Sequence, residues 1–501
     1  MFKNIQKQLL LKYPLLWNTR FIPMVCIGLL INLLYFFVGY ADGTINFKER
    51  YDSDLDFTFF SFCFLISVII LILWLVNYFK NNSFKSFYPK SKNALFFEWI
   101  QILVIVILLS AFYFPFEYGR QLHKRNYIDE ETARKRCETI SKADFFIDAG
   151  FDDPEIDSTN SVFRDTVIDG TPVYTSTVYK DYVRIFGKKY SPTALINRNT
   201  EGFSFTSHEE DSLRVIAVRK LLAENKSQEV KKIMQDYLAI IKEHQLETNL
   251  TLDKWFEITY NYPEFSKYEL ISRNSPTDEN PDIYTTDYSD YETAVVDTSA
   301  IAMEATARKY SKYFIERNTL FHNYSEVARA FTKSVFQQEA LLVLFYMAFG
   351  LSLLILSFRV TSGKSWLIAV VGLGIMNIIF GIISAASSES LVYSILMILS
   401  IIVFFIYFIN INIRKSGKKY SMIVLNLILW LFGSLIPLCY LTYQELYLKS
   451  IRHLGDYYSD PYYQTLTFYA IDMLTINLII VFISMFFFTR NIRHWKGISE
   501  E

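Results

Sequence analysis

The sequence predicts a polytopic α-helical membrane protein of about eight transmembrane helices, carrying an α+β extracytoplasmic domain inserted between helices three and four. Three observations predict it. Hydrophobic residues make up 51% of the 501 residues and are clumped rather than spread. Eight clumps, at 21–40, 57–79, 94–114, 340–357, 366–386, 391–411, 422–442 and 466–488, come close to the roughly 20 residues that a helix needs to cross the hydrocarbon core. Between the third and fourth lies a long polar stretch, 116–337, soluble in character.

Orientation follows from Lys and Arg in the short loops. Lys3, Lys7, Lys12 and Arg20 precede the first span, and Lys80, Lys85, Lys90 and Lys92 lie between the second and third. Arg359 and Lys364, then Arg414, Lys415, Lys418 and Lys419, then Arg490, Arg493 and Lys496 continue the series. The intervening loops are acidic or neutral, as with Asp52, Asp54 and Asp56. Both termini are therefore expected in the cytoplasm, with 116–337 outside, and richness in Lys, Asn, Ile, Phe and Tyr suits an AT-rich bacterium and hence its inner membrane. The domains follow as a cytoplasmic interfacial helix (1–20), three spans (21–115), the external domain (116–337), five spans (338–490) and a cytoplasmic tail (491–501). The first apolar run lacks a small-residue cleavage site and is read as a span, not a cleaved signal.

Within residues 2–17, Ile5, Leu9, Leu10, Tyr13, Leu16 and Trp17 fall largely on one helical face, with Pro14 kinking it, which predicts an interfacial amphipathic helix. A plain topogenic anchor is the alternative. The loop 81–93 is basic and aromatic; Lys85, Phe87, Tyr88 and Lys90 make it a candidate docking loop for a cytoplasmic ATPase, or else a headgroup-facing loop.

The insertion opens as an extension of span three, interrupted by Pro115, followed by a charged helix over 129–146. Alternating apolar residues between 161 and 190, punctuated by Asp169-Gly170 and Gly187, predict hairpins. Ser207 with Glu210 forms a capping box, and helical spacing follows it. Further helices are expected over 228–244 and 252–258, a Pro-rich acidic loop over 274–292, and a helix from 298 to 338 running unbroken into span four. Helices at both ends would transmit movement between insertion and bundle. The loop 444–465, rich in tyrosine, reads as an interfacial belt, with a docking surface for the insertion as the sharper alternative.

No catalytic, cofactor or metal motif holds. Gly363-Lys364-Ser365 ends like a phosphate loop, but Phe358 stands where its first glycine belongs. Gly372 and Gly374 lack the third glycine of a dinucleotide turn, Asn377 taking its place. Asp278, Asn280 and Asp282 begin a calcium loop, yet Ile283 and Ser289 replace its glycine and glutamate. The six histidines avoid the spans and show no zinc spacing. Cys137 is the lone cysteine of the insertion, so no disulfide forms within it. A net charge of −1 offers no footprint for nucleic acid.

Polar groups inside spans are the remaining candidates: Glu98, Gln101, Asn377, Asn426, Asp472 and Asn477. Such groups join helices or line a pathway, with capping or snorkelling as the alternative for Glu98 and Asp472. The acids Asp52, Asp54 and Asp56 are positioned as a metal-binding cluster would be in a polytopic glycosyltransferase.

The layout of the first hundred residues, an amphipathic helix followed by spans joined through a basic cytoplasmic loop, resembles the permease subunits of ABC-2-type exporters. That resemblance implies a transport or export complex powered by a separate nucleotide-binding subunit, and an oligomer within the lipid bilayer. The other classes are a receptor or assembly component binding a ligand or partner through its external domain, and a polytopic glycosyltransferase-like or related lipid-modifying enzyme using Asp52, Asp54 and Asp56.

Overall fold

In a computed structural model of the chain, the described residues are 16, 18–47, 56–82, 93–147, 202–260, 315–387, 390–414, 420–452 and 460–496, with four short strands between 166 and 190. They divide into two compact units. One takes in 1–39, 57–119 and 335–501, the other 40–56 and 120–334.

The first unit holds the apolar helices: α1 (Phe21–Asp42), α2 (Asp56–Asn82), α3 (Ala94–Ser110), followed by α4 (Tyr113–Tyr127), whose first turns belong here. Among the described residues, eight helical stretches are long and apolar enough to cross a membrane, and each contains or overlaps one of the expected spans. The chain is a multi-pass membrane protein. Ala111 and Phe112 interrupt the helix between α3 and α4, and Pro115 sits in the first turn of α4, where its missing N–H costs nothing.

Helix α1 packs on α3 and α4 through its small residues. A Cβ on Gly28 would meet Leu108 Cβ at 3.0 Å, and one on Gly39 would meet the Phe116 carbonyl oxygen at 1.9 Å. Asn32, one turn on from Gly28, donates to the Leu108 carbonyl at 2.8 Å. This is the close backbone approach that drives helix association where lipid removes the hydrophobic incentive.

After the insertion come α10 (Gln338–Val360), α11 (Gly363–Ser387), α12 (Ser390–Arg414), α13 (Ser421–Leu431), a 3₁₀ turn (Phe432–Ser434), α14 (Leu435–Ile451), α15 (Pro461–Phe468) and α16 (Ala470–Lys496). α11 and α12 are separate helices of 25 residues each, so spans five and six are both long enough to cross. Trp99, Ile102, Ile105, Val106, Ile355 and Leu356 centre the core, while Leu30, Ile378, Ile382 and Val403 face outward.

The second unit is helical at its core: α5 (Glu130–Asp144), α6 (His208–Ala223), α7 (Ser227–Glu243), α8 (Leu252–Tyr260) and α9 (Asn318–Thr332). Asp129 caps α5 by accepting from the Thr132 amide, and the Ser207–Glu210 box closes reciprocally at α6. Asn225 and Gln245 adopt left-handed φ of 54° and 58° after α6 and α7. The Lys226 and Leu246 amides then reach back to the Leu221 and Ile241 carbonyls at 2.9 and 3.0 Å, closing both helix ends.

Tyr237, Trp255, Val327 and Phe146 are fully buried in this core, with the Trp255 indole donating to the Phe146 carbonyl. Phe47 and Ile45, from the segment after α1, join it.

Three expectations are corrected. The α+β insertion is not supported: among the described residues strand pairing amounts to two separate antiparallel ladders of three residues, 166–168 with 171–173 and 183–185 with 188–190, and one isolated bridge between Thr248 and Ile315, while helices supply most of the packed core. The helix running into span four is broken, since Lys333 turns to extended backbone and α10 restarts at Gln338. Arg359 belongs to the last turn of α10 and is buried, not a loop cation. The interfacial helix of 2–17, the loop 83–92 and the acidic loop 274–292 lie outside the described residues, apart from Leu16.

Candidate functional site

Polar side chains buried in an apolar bundle are expensive, so each needs a partner, and such groups are the first place to look for function. Glu98 lies in the second turn of α3, on the same buried face as Leu95 and Ile102. Its Oε1 accepts from Arg359 Nε at 3.2 Å, Tyr78 Oη at 2.9 Å and Asn18 Nδ2 at 3.1 Å. Helices α10 and α2 and the segment before α1 thus converge on one carboxylate oxygen. The Glu98 and Arg359 side chains are only 2% and 4% exposed.

The surroundings extend this cluster. Gln101, one turn further along α3, accepts from Thr19 Oγ1 at 2.7 Å, and the Trp74 indole donates to the Thr19 carbonyl at 2.9 Å. Trp74 stacks on Tyr78 with ring centroids 5.5 Å apart, and the Trp99 indole donates to Ser352 Oγ at 3.1 Å. A buried pair of this kind adds little net stability, because desolvation offsets attraction, but removing either partner strands the other. Chemically the site can hold charge and fix helices; three donors already converge on the carboxylate's Oε1.

The other candidates form separate contacts. Asn426 accepts from Thr361 Oγ1 at 3.0 Å, joining α13 to the end of α10, and its fully buried Nδ2 has no partner among the described residues. Beside it the Trp430 indole donates to Ser357 Oγ at 2.9 Å. Asn477 donates from Nδ2 to both Tyr346 Oη and the Gly433 carbonyl, each at 2.8 Å, joining α16, α10 and the 3₁₀ turn. Asn377 of α11 donates to its own Leu373 carbonyl and accepts from Tyr393 Oη of α12. Asp472, in the first turn of α16, accepts from Gln338 Nε2 at 3.5 Å.

The six candidates are therefore not gathered into one cavity; Glu98 and Gln101 share a cluster and the others tie different helix pairs. Asp52 and Asp54 and the loop residues Lys85, Phe87, Tyr88 and Lys90 lie outside the described residues, and Asp56 opens α2. Among the described residues no group of His, Cys, Asp and Glu could hold a metal. Sequence reasoning missed Arg359, Tyr78, Asn18 and Thr19. A lone acid in a span calls for a base, and Arg359, two residues beyond the expected end of span four, was that signal.

The second unit has two polar clusters of its own. His244 stacks on Phe47 at 3.8 Å, its Nε2 lies 2.9 Å from Tyr324 Oη, and Arg136 donates to the same hydroxyl at 2.9 Å and to Glu243 at 2.8 Å. Burial pushes the Tyr324 hydroxyl up to about 12 despite Arg136, and burial together with Arg136 lowers the His244 imidazole against the pull of Glu243. Nearby, Glu326 accepts from Lys124 and from Arg120, with Arg329 also on it. Burial pushes its carboxyl up, but these cations outweigh burial and hold it at about 2. Burial lifts the Cys137 thiol to about 12 against the opposing pull of Arg134 and Arg214, which disfavours the reactive thiolate.

Comparison with protein-family models, with curated proteins and with solved structures finds no match to this chain.

Proposed function

We propose that the chain is the membrane-spanning, permease-like subunit of a transport or export complex in a bacterial inner membrane, energised by a separate ATPase subunit. In this reading both termini and the basic loops are cytoplasmic, residues 116–337 are extracytoplasmic, and the subunit works as a homo- or hetero-oligomer.

The observation that carries the reading is the Glu98–Arg359 pair. It ties the start of α3 to the end of α10, the helices that lead in sequence into and out of residues 120–334. The basic loop 83–92 directly precedes α3, so a subunit docked on Lys85, Phe87, Tyr88 and Lys90 would act beside this pair. Opening a buried charge pair without a replacement partner is costly, which favours discrete over graded arrangements of the two helices.

The test is purification of tagged chain from its native membranes in mild detergent. A nucleotide-binding subunit should co-purify in stoichiometric amount and be lost from Lys85→Glu/Lys90→Glu chain that melts as the unchanged protein does. Purification with no nucleotide-binding partner would contradict the reading and favour a receptor or assembly component.

A further inference from the structure

Two clefts flank one helix contact in the bundle. The first, of about 460 Å³, lies among α10, α13, α14 and α16 and runs from Glu339 and Ile471 to Leu353 and Val481. The second, of about 390 Å³, lies between α10 and α16 and runs from Gln338 and Thr475 to Phe349 and Phe482. Leu342, Phe349 and Leu478 line both and so form the ridge between them. At about 1.5 Å per residue, Glu339 to Leu353 spans roughly 21 Å, some two-thirds of the ~30 Å hydrocarbon core.

From these clefts we infer a seat for one two-chain bilayer lipid bearing an amine headgroup, with a chain in each cleft and the head over Glu339 and Asp472. The inference goes beyond the transport reading and does not depend on it.

Several observations support the seat. The clefts begin at the same helix ends and run alongside one another, as the two chains of one lipid do. The lining is almost wholly apolar, and its polar groups at the shared end are Glu339 and Gln338, the latter donating to Asp472 and Thr475. Among the described residues no Lys or Arg lines either cleft, so the head site suits an amine better than a bare anion. Finally, Gly350 lines the first cleft, and a Cβ there would meet nothing within 4 Å. Asn477 holds the walls around it, through its bonds to Tyr346 and Gly433.

The experiment uses full-length chain in vesicles of phosphatidylethanolamine and phosphatidylglycerol. Either lipid is added with a diazirine in its acyl chain, and labelled peptides are mapped after photolysis. Saturable labelling around Phe349 and Leu478 is expected, several-fold stronger for phosphatidylethanolamine and suppressed by the unlabelled lipid. Gly350→Leu, whose side chain enters open space, should reduce that labelling several-fold, and Glu339→Gln should abolish the headgroup preference. The competition on unchanged protein decides the matter should Gly350→Leu fail to fold. Labelling that never saturates and spreads equally over the outward faces of α11 and α12, or equal labelling by the two lipids, would overturn the proposal.

Discussion

Arg359 Nε lies 3.2 Å from Glu98 Oε1, and both side chains are buried among apolar helices that the sequence places at opposite ends of the long insertion. The pair bridges residues 261 positions apart. Its consequence is asymmetric: intact, it contributes little, while half of it is a liability.

Removing one partner should therefore cost about 3–5 kcal/mol. Arg359→Met or Glu98→Leu is expected to lower the melting temperature in detergent sharply. The double variant should recover most of the loss, because no charge is left stranded. Additive losses in the double variant would show that the two groups are not coupled.

Backbone contact at α1 gives a second expectation. Gly39→Ala drives a methyl into the Phe116 carbonyl, which cannot swing aside as a side chain would. The cost should reach the upper end of the ~1–3 kcal/mol usual for overpacking. Gly350→Ala, opening onto empty space in the middle of α10, should instead leave the melting temperature unchanged or raise it. Equal effects at the two sites would contradict the packing described.

The carboxyl of Glu326 is held at about 2, below its ordinary 4.5, so the unfolded chain binds the proton first as pH falls. Its stabilisation is complete above about pH 4.5 and disappears as pH drops towards 2; by linkage it is on the order of 3 kcal/mol. The protection of the α9 peptide against hydrogen exchange, taken relative to the intrinsic amide rate at each pH, should fall across that window in the unchanged protein. Glu326→Gln should exchange faster at neutral pH and show less of the acid dependence.

His244 works in the opposite chemical sense but with the same pH sign. Its lowered imidazole stays neutral in the fold, so its contribution is complete above the ordinary 6.5 and is lost as pH falls below it. Protonation adds a cation beside Arg136, only partly compensated by Glu243, with Tyr127 and Tyr324 the other titratable groups facing the ring. Proteolysis between α7 and α8 should increase as pH falls below 6.5, and a His244→Gln chain should lack that step.

What could be read from the sequence was what physical chemistry makes local. Span lengths follow from bilayer thickness, and the Ser207–Glu210 box announces its helix within four residues. Legibility failed where the determinant is distant. Arg359 looked like a loop cation because only its Glu98 partner, far away in sequence, makes burial tolerable. Phe47 and Ile45 carry no periodic signal in a short loop, yet they complete the core of the second unit. The break at 333–337 follows no proline or glycine, and the hairpin residues of 166–190 alternate as a larger sheet would while pairing only in threes.

The side of the membrane on which residues 120–334 stand is tested most directly by labelling single cysteines, placed in a cysteine-free chain, with an impermeant maleimide on intact cells. Ser212→Cys should react from outside, while Lys85→Cys and Lys418→Cys should react only after permeabilisation. Protection of position 212 together with outside labelling at 85 and 418 would contradict the account.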